Sequence, residues 1–64
     1  MESYTPEVKR LLREHGCAFP RQGKGDHEIW WSPITSRMVT VDGKIKSRHT
    51  ANRILKDAGI DIRL

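Results

Sequence analysis

Apolar positions in the first fifteen residues recur at helical spacing. Val8, Leu11, Leu12 and His15 fall on one stripe, while Lys9, Arg10 and Arg13 lie off it. Thr5, Pro6 and Glu7 supply a hydroxyl cap, a proline at the first helical position and an acid in the first turn. Gly16 is a left-handed stop, so the pattern predicts a helix over residues 6–15. Residues 17–22 read as a short strand, and Pro20, which cannot donate to a ladder, favours an edge. Gly23, Lys24, Gly25 and Asp26 form a turn by composition, and residues 27–32 read as a second strand. Residues 33–36 link it to the clearest strand, 37–41, which is β-branched, alternating and closed by Asp42 and Gly43. Ser47 can cap a second helix over residues 48–58, with Ala51, Ile54, Leu55 and Ala58 as its apolar stripe. Gly59 ends that helix, and Ile60 can fold back on Leu55.

The predicted order is α-β-β-β-α. It implies an α+β fold in which a three-stranded antiparallel sheet carries both helices on one face. The other face stays open to water, flat and able to accept a nucleic-acid backbone. Trp30 and Trp31 point to opposite faces if the second strand is regular. One belongs to the core and the other can stack on a base. Parity alone does not assign them, because a bulge near His27 would exchange the two.

At 64 residues the chain holds one domain, 1–64, without repeats or linkers. A domain this small has a modest core and no room for a deep, lidded pocket. Any chemistry belongs on an open surface across which a large substrate lies. Twelve Lys and Arg against eight Asp and Glu give a net charge of +4, which favours polyanionic partners. Cys17 is the one cysteine, which rules out an internal disulfide and a cysteine zinc site. With no apolar run of membrane-spanning length and no signal-peptide core, a soluble cytoplasmic protein without a membrane partner is expected.

Histidine is the side chain that titrates near neutral pH without special tuning, and the chain has three. His27 follows the glycine turn directly. The Gly23 and Gly25 positions allow a phosphodiester to approach the main chain, where amides can donate to it. Arg21 and Lys24 add positive charge nearby. An imidazole there can take the proton of a ribose 2′-hydroxyl, which then attacks its own phosphate. The cations and amides would stabilise charge on the phosphorane oxygens. The nucleophile is the substrate's own, so neither metal nor cofactor is needed. Cationic neighbours favour neutral His27 and Asp26 favours the imidazolium; sequence leaves that balance open. Most histidines at strand starts are turn or surface residues, so spacing alone does not assign the role.

His15 suits the helix C-terminus as a dipole partner, and His49, placed beside Arg48 where it could touch phosphate, reads first as a solvated first-turn residue. No pair among the histidines has zinc-motif spacing, and Gly23-Lys24-Gly25 is too short for a P-loop. Cys17 has no evident activating base. Lys44, Lys46, Arg48 and Arg53 cluster from the loop after the third strand into the second helix, where a helix N-terminus suits phosphate.

Three runs together carry a family resemblance. They are Arg21-Gln22-Gly23-Lys24-Gly25-Asp26-His27-Glu28-Ile29-Trp30, then Val39-Thr40-Val41, then Thr50-Ala51-Asn52-Arg53-Ile54-Leu55-Lys56-Asp57-Ala58-Gly59-Ile60. In order and spacing the chain resembles the HicA family of bacterial mRNA interferases over nearly its whole length. The resemblance implies a double-stranded-RNA-binding-domain-like fold and a metal-independent ribonuclease that cuts mRNA and arrests growth as the toxin of a type II toxin-antitoxin system. It also implies a cognate HicB antitoxin that covers the active face. The family's catalytic histidine falls on His27, and Arg21, Lys24, Gly25, Lys44, Lys46 and Arg48 are the expected RNA-binding residues. Tyr4, Lys24 and water remain open as the second acid-base group. Many members follow Val-Thr-Val with a Pro- or His-containing segment, where this chain has Asp42-Gly43-Lys44, so the expectation for Lys44 rests on the basic cluster and not on the family pattern. Two alternatives use the same basic surface: a non-catalytic RNA-binding module, and a module that grips an acidic protein.

Overall fold

The computed structural model describes residues 3–23, 25 and 27–64, with residues 19–22 described by backbone alone. The elements in chain order are α1 (Thr5–Glu14), β1 (Ala18–Gln22), β2 (Glu28–Ser32), β3 (Arg37–Val41) and α2 (Arg48–Asp57). The architecture is α+β, with antiparallel pairing in the order β1-β2-β3.

Both helices end as their glycines dictate. Gly16 and Gly59 take φ of +83° and +79°, and the amides of Cys17 and Ile60 return to the carbonyls of Leu12 and Leu55, each at 2.9 Å. Ser47 caps α2, its side chain accepting the amides of His49 and Thr50. The start of α1 differs from expectation. Tyr4 is the capping position, and Thr5 lies inside the helix with its side chain buried. The Thr5 hydroxyl instead accepts the Ile45 amide at 2.9 Å, so a long-range bond takes the group that would have capped the helix.

β2 and β3 pair without interruption from Ser32 opposite Arg37 to Glu28 opposite Val41. Across β1 and β2, Ala18 faces Trp31, Arg21 faces Ile29 and Gln22 faces Glu28. The irregularity falls in β1, between Ala18 and Arg21. Alternation in β2 is therefore intact, and it assigns the tryptophans. Trp30 is 1% exposed with Val39 opposite it, whereas Trp31 is 38% exposed and pairs with exposed Met38.

Trp30, Ser32, Val39 and Val41 share the face on which α1 and α2 pack. Val8, Leu11 and Leu12 of α1 meet Ala51, Ile54 and Leu55 of α2 in the same core. Fully burying a side chain such as Leu12 or Leu55 is worth about 1.5–3 kcal/mol. Polar ties fix the layers further. Ser32 Oγ donates to the Ala58 carbonyl at 2.6 Å, and the Arg13 guanidinium lies 5.6 Å from the Trp30 ring centre. Among the described residues no helix lies over the opposite face, which bears Ile29, Trp31, Met38 and Thr40.

Candidate active site

The β1–β2 turn closes on the backbone of His27. The Gly23 amide donates to the His27 carbonyl at 2.8 Å, and a Cβ on Gly23 would lie 3.0 Å from that oxygen. The Gly23 amide is thus spent inside the turn, which corrects the expectation that both glycines present amides to phosphate. Gly25 sits exposed at φ +59°, where a Cβ would meet nothing within 4 Å. A left-handed residue at that point lets the chain reverse tightly before β2.

One step outward from the Glu28–Val41 pair, the β2–β3 register sets His27 against Asp42. The ring nitrogen Nδ1 of His27 lies 3.2 Å from Oδ1 of Asp42, with the side chains 50% and 43% exposed. By strand parity this pair belongs to the open face, with Ile29, Trp31, Met38 and Thr40. Trp31 lies four residues from His27 along β2, which at about 3.3 Å per residue is about 13 Å. Asp42 was read from sequence as a turn residue. The signal for its role was the hairpin itself: counting outward from the four-residue link 33–36 brings residue 42 opposite residue 27.

The segment carrying Asp42 is pinned on both sides. Val41 and Ile45 are buried, the Tyr4 amide donates to the Ile45 carbonyl at 2.6 Å, and Thr5 holds the Ile45 amide. Lys44 and Lys46 flank buried Ile45 and are exposed, as is Arg48 at the start of α2. The α2 amides that were expected to suit phosphate are already served at His49 and Thr50 by Ser47. The Arg21 side chain and all of Lys24 lie outside the described residues; the Arg21 backbone pairs with Ile29 in β1.

Glu28 follows His27 but turns to the helix side. Its carboxylate accepts from Lys9 Nζ at 3.0 Å and from Trp30 Nε1 at 3.1 Å. The Lys9 hydrogen bond, the largest influence, lowers its pKa; burial opposes this, and the Trp30 bond reinforces it. Glu28 is thereby a framework carboxylate that joins α1 to β2.

The other candidates separate by burial. His15 places Nδ1 2.8 Å from the Leu11 carbonyl at the end of α1, in keeping with a structural role. Cys17 is buried, and Tyr4 packs against the core. Exposed His49 lines a shallow groove with Asn52, Arg53, Lys56 and Arg63. Sequence reading missed this groove because the tail after Gly59 closes one side of it, held by the Leu64 amide on Asn52 Oδ1 at 2.7 Å. Among the described residues no group of three or more His, Cys, Asp or Glu could hold a metal, and no helix is long and apolar enough to cross a membrane.

Residues 5–60 match the model of a family described as HicA toxin of bacterial toxin-antitoxin systems. No curated protein and no solved structure gives a match.

Proposed function

Because the chain belongs to the HicA toxin family, we propose that it is a metal-independent endoribonuclease that cuts mRNA with His27 as general acid and base. It is the toxin side of a toxin-antitoxin pair, and the family implies a cognate HicB antitoxin as its partner. The α-β-β-β-α order is read here as double-stranded-RNA-binding-domain-like, with RNA lying across the open face in the cytoplasm.

The observation that carries this reading is an exposed imidazole on the sheet face that no helix covers, directly after a glycine turn. On that face the neutral ring takes the proton from a ribose 2′-hydroxyl. The 2′-oxygen attacks the adjacent phosphorus, the bond to the 5′-oxygen breaks, and that oxygen leaves with the proton that the imidazolium gives back. The products are a 2′,3′-cyclic phosphate and a 5′-hydroxyl end. Arg21 and Lys24 are assigned to the scissile phosphate, with Gly25 allowing it close approach to the main chain, while Lys44, Lys46 and Arg48 continue the phosphate track. Exposed Trp31 is assigned to a base of the bound strand, which stacking can hold without sequence-specific hydrogen bonds.

The test is incubation with a defined RNA in EDTA, comparing the wild type with His27→Ala. A lost general acid-base group lowers the rate by about 10²–10⁴-fold. Cleavage by the wild type, absent in His27→Ala and absent with a 2′-deoxy sugar at the cut site, supports the reading. Cleavage that survives either change refutes the mechanism. If both proteins bind RNA and neither cuts it, the non-catalytic RNA-binding alternative replaces it.

A further inference from the structure

We infer that Asp42 is a positioning residue for His27, selecting the ring tautomer in which Nε2 is the reacting atom. The inference rests on the ribonuclease reading above and adds to it a residue that no motif supplied.

The contact is built by the fold. β2 and β3 run in unbroken register from their link to Glu28 opposite Val41, and His27 and Asp42 are the next residues outward. The root of each side chain is held from a different direction. On one strand the His27 carbonyl receives the Gly23 amide at 2.8 Å. On the other, Asp42 follows Val41, which is 0% exposed, and precedes Ile45, which is 1% exposed and bonded through its backbone to Tyr4 and Thr5. With both backbones fixed, Asp42 Oδ1 meets Nδ1 at 3.2 Å.

An ionised carboxylate can only accept, so its approach to within 3.2 Å of Nδ1 favours the ring form that carries the hydrogen there. In the neutral ring the lone pair then sits on Nε2, the nitrogen on the far side from Asp42. The neutral imidazole in water favours the other tautomer, with its hydrogen on Nε2. Without Asp42, the population able to accept a proton at Nε2 would shrink. Once Nε2 has taken the 2′-hydroxyl proton, the same carboxylate faces an imidazolium and stabilises it. A residue that orients a catalytic imidazole in this way acts on turnover and does not touch the RNA.

The exposure of the pair argues against a purely structural role. Half-exposed ion pairs contribute little to stability, and nearby core contacts already hold this loop. The exposure also sets the size of the effect. A buried aspartate behind a catalytic histidine has a much larger influence than one open to water, so a loss of about 10–100-fold in kcat is expected here.

The experiment compares the wild type with Asp42→Ala and Asp42→Asn, the second chosen to keep side-chain size should the first fail to fold. Long-range ¹H–¹⁵N correlations of the imidazole report the tautomer at a pH where the ring is neutral, without any RNA. Cleavage of a defined RNA in EDTA gives kcat and KM. The expected result is an Nδ1–H ring in the wild type, reversion to Nε2–H in Asp42→Ala, and a kcat fall of about 10–100-fold with KM within about twofold. An Nε2–H ring in the wild type overturns the inference, as does undiminished kcat in both variants. A KM effect with kcat intact also overturns it, since Asp42 would then act on RNA binding. Those outcomes leave the ribonuclease reading standing if the wild type cuts. A wild type that shows the Nδ1–H ring yet fails to cut removes the ribonuclease reading, and the catalytic role of Asp42 with it.

Discussion

Gly59→Ala should be among the most damaging single-methyl additions to this fold, and Gly25→Ala is its internal control. Both glycines hold left-handed backbone, at φ +79° and +59°. An alanine there costs about 1–2 kcal/mol, partly offset by about 0.4–1 kcal/mol from a less flexible unfolded chain. The two differ in what the new methyl meets. At Gly25 a Cβ has nothing within 4 Å, whereas at Gly59 it lies 2.6 Å from Ile34 Cγ2 and 2.8 Å from Thr35 Cγ2. Relief requires the β2–β3 link to move away from the end of α2. Ser32 resists that movement through its 2.6 Å bond to the Ala58 carbonyl. Overpacking of this kind adds about 1–3 kcal/mol. The expected losses are therefore about 2–4 kcal/mol for Gly59→Ala and about 1 kcal/mol or less for Gly25→Ala. Against a total of roughly 3–10 kcal/mol for a chain this size, the first leaves little margin. Urea unfolding followed by tryptophan fluorescence, with m held common, measures both. Values for the two variants within about 0.5 kcal/mol of each other would refute the steric argument and leave backbone conformation as the whole effect.

Ser32→Ala removes a fully buried donor and strands the Ala58 carbonyl, so urea unfolding should show a loss of about 1–3 kcal/mol; no loss would mean the carbonyl finds another partner. Glu28 has a folded-state pKa below its unfolded value, so its contribution is present above the unfolded pKa and lost as pH falls through the depressed one. Glu28→Gln should cost about 1 kcal/mol at neutral pH and flatten the acid limb of the stability profile, whereas an unchanged limb would discount the Lys9 pair. RNA made uncleavable by 2′-O-methylation should quench the fluorescence of Trp31 but not that of buried Trp30. Trp31→Ala should weaken binding by about 1–3 kcal/mol, with Trp31→Phe retaining part of it; quenching that persists in Trp31→Ala would move the base elsewhere.

The order of elements and the helix ends were legible in the sequence because each depends on a few neighbouring residues. Gly16, Gly59 and Ser47 act within a turn of where they stand, and the structure uses them as their chemistry predicts. Features that depend on distant partners were misread or left open. Thr5 has the right side chain for a cap, yet its hydroxyl is taken by the amide of Ile45, 40 residues further along the chain. The tryptophans could not be assigned until the irregular step was located in β1 and not in β2. The glycine turn was credited with two amides for phosphate, although one of them closes the turn on His27.

The site shows the same division. His27 was visible because the glycine turn and the family pattern both mark it, whereas Asp42 lies where this chain departs from that pattern. Read as sequence, the departure to Asp42-Gly43-Lys44 removes an expected motif. Read through the hairpin register, it sets a carboxylate 3.2 Å from the catalytic candidate. A cross-strand pair of this kind has no local spacing to betray it, since its two members meet only after both strands and their link have formed. A change at residue 42 can therefore alter how the imidazole is held while every residue around His27 stays the same.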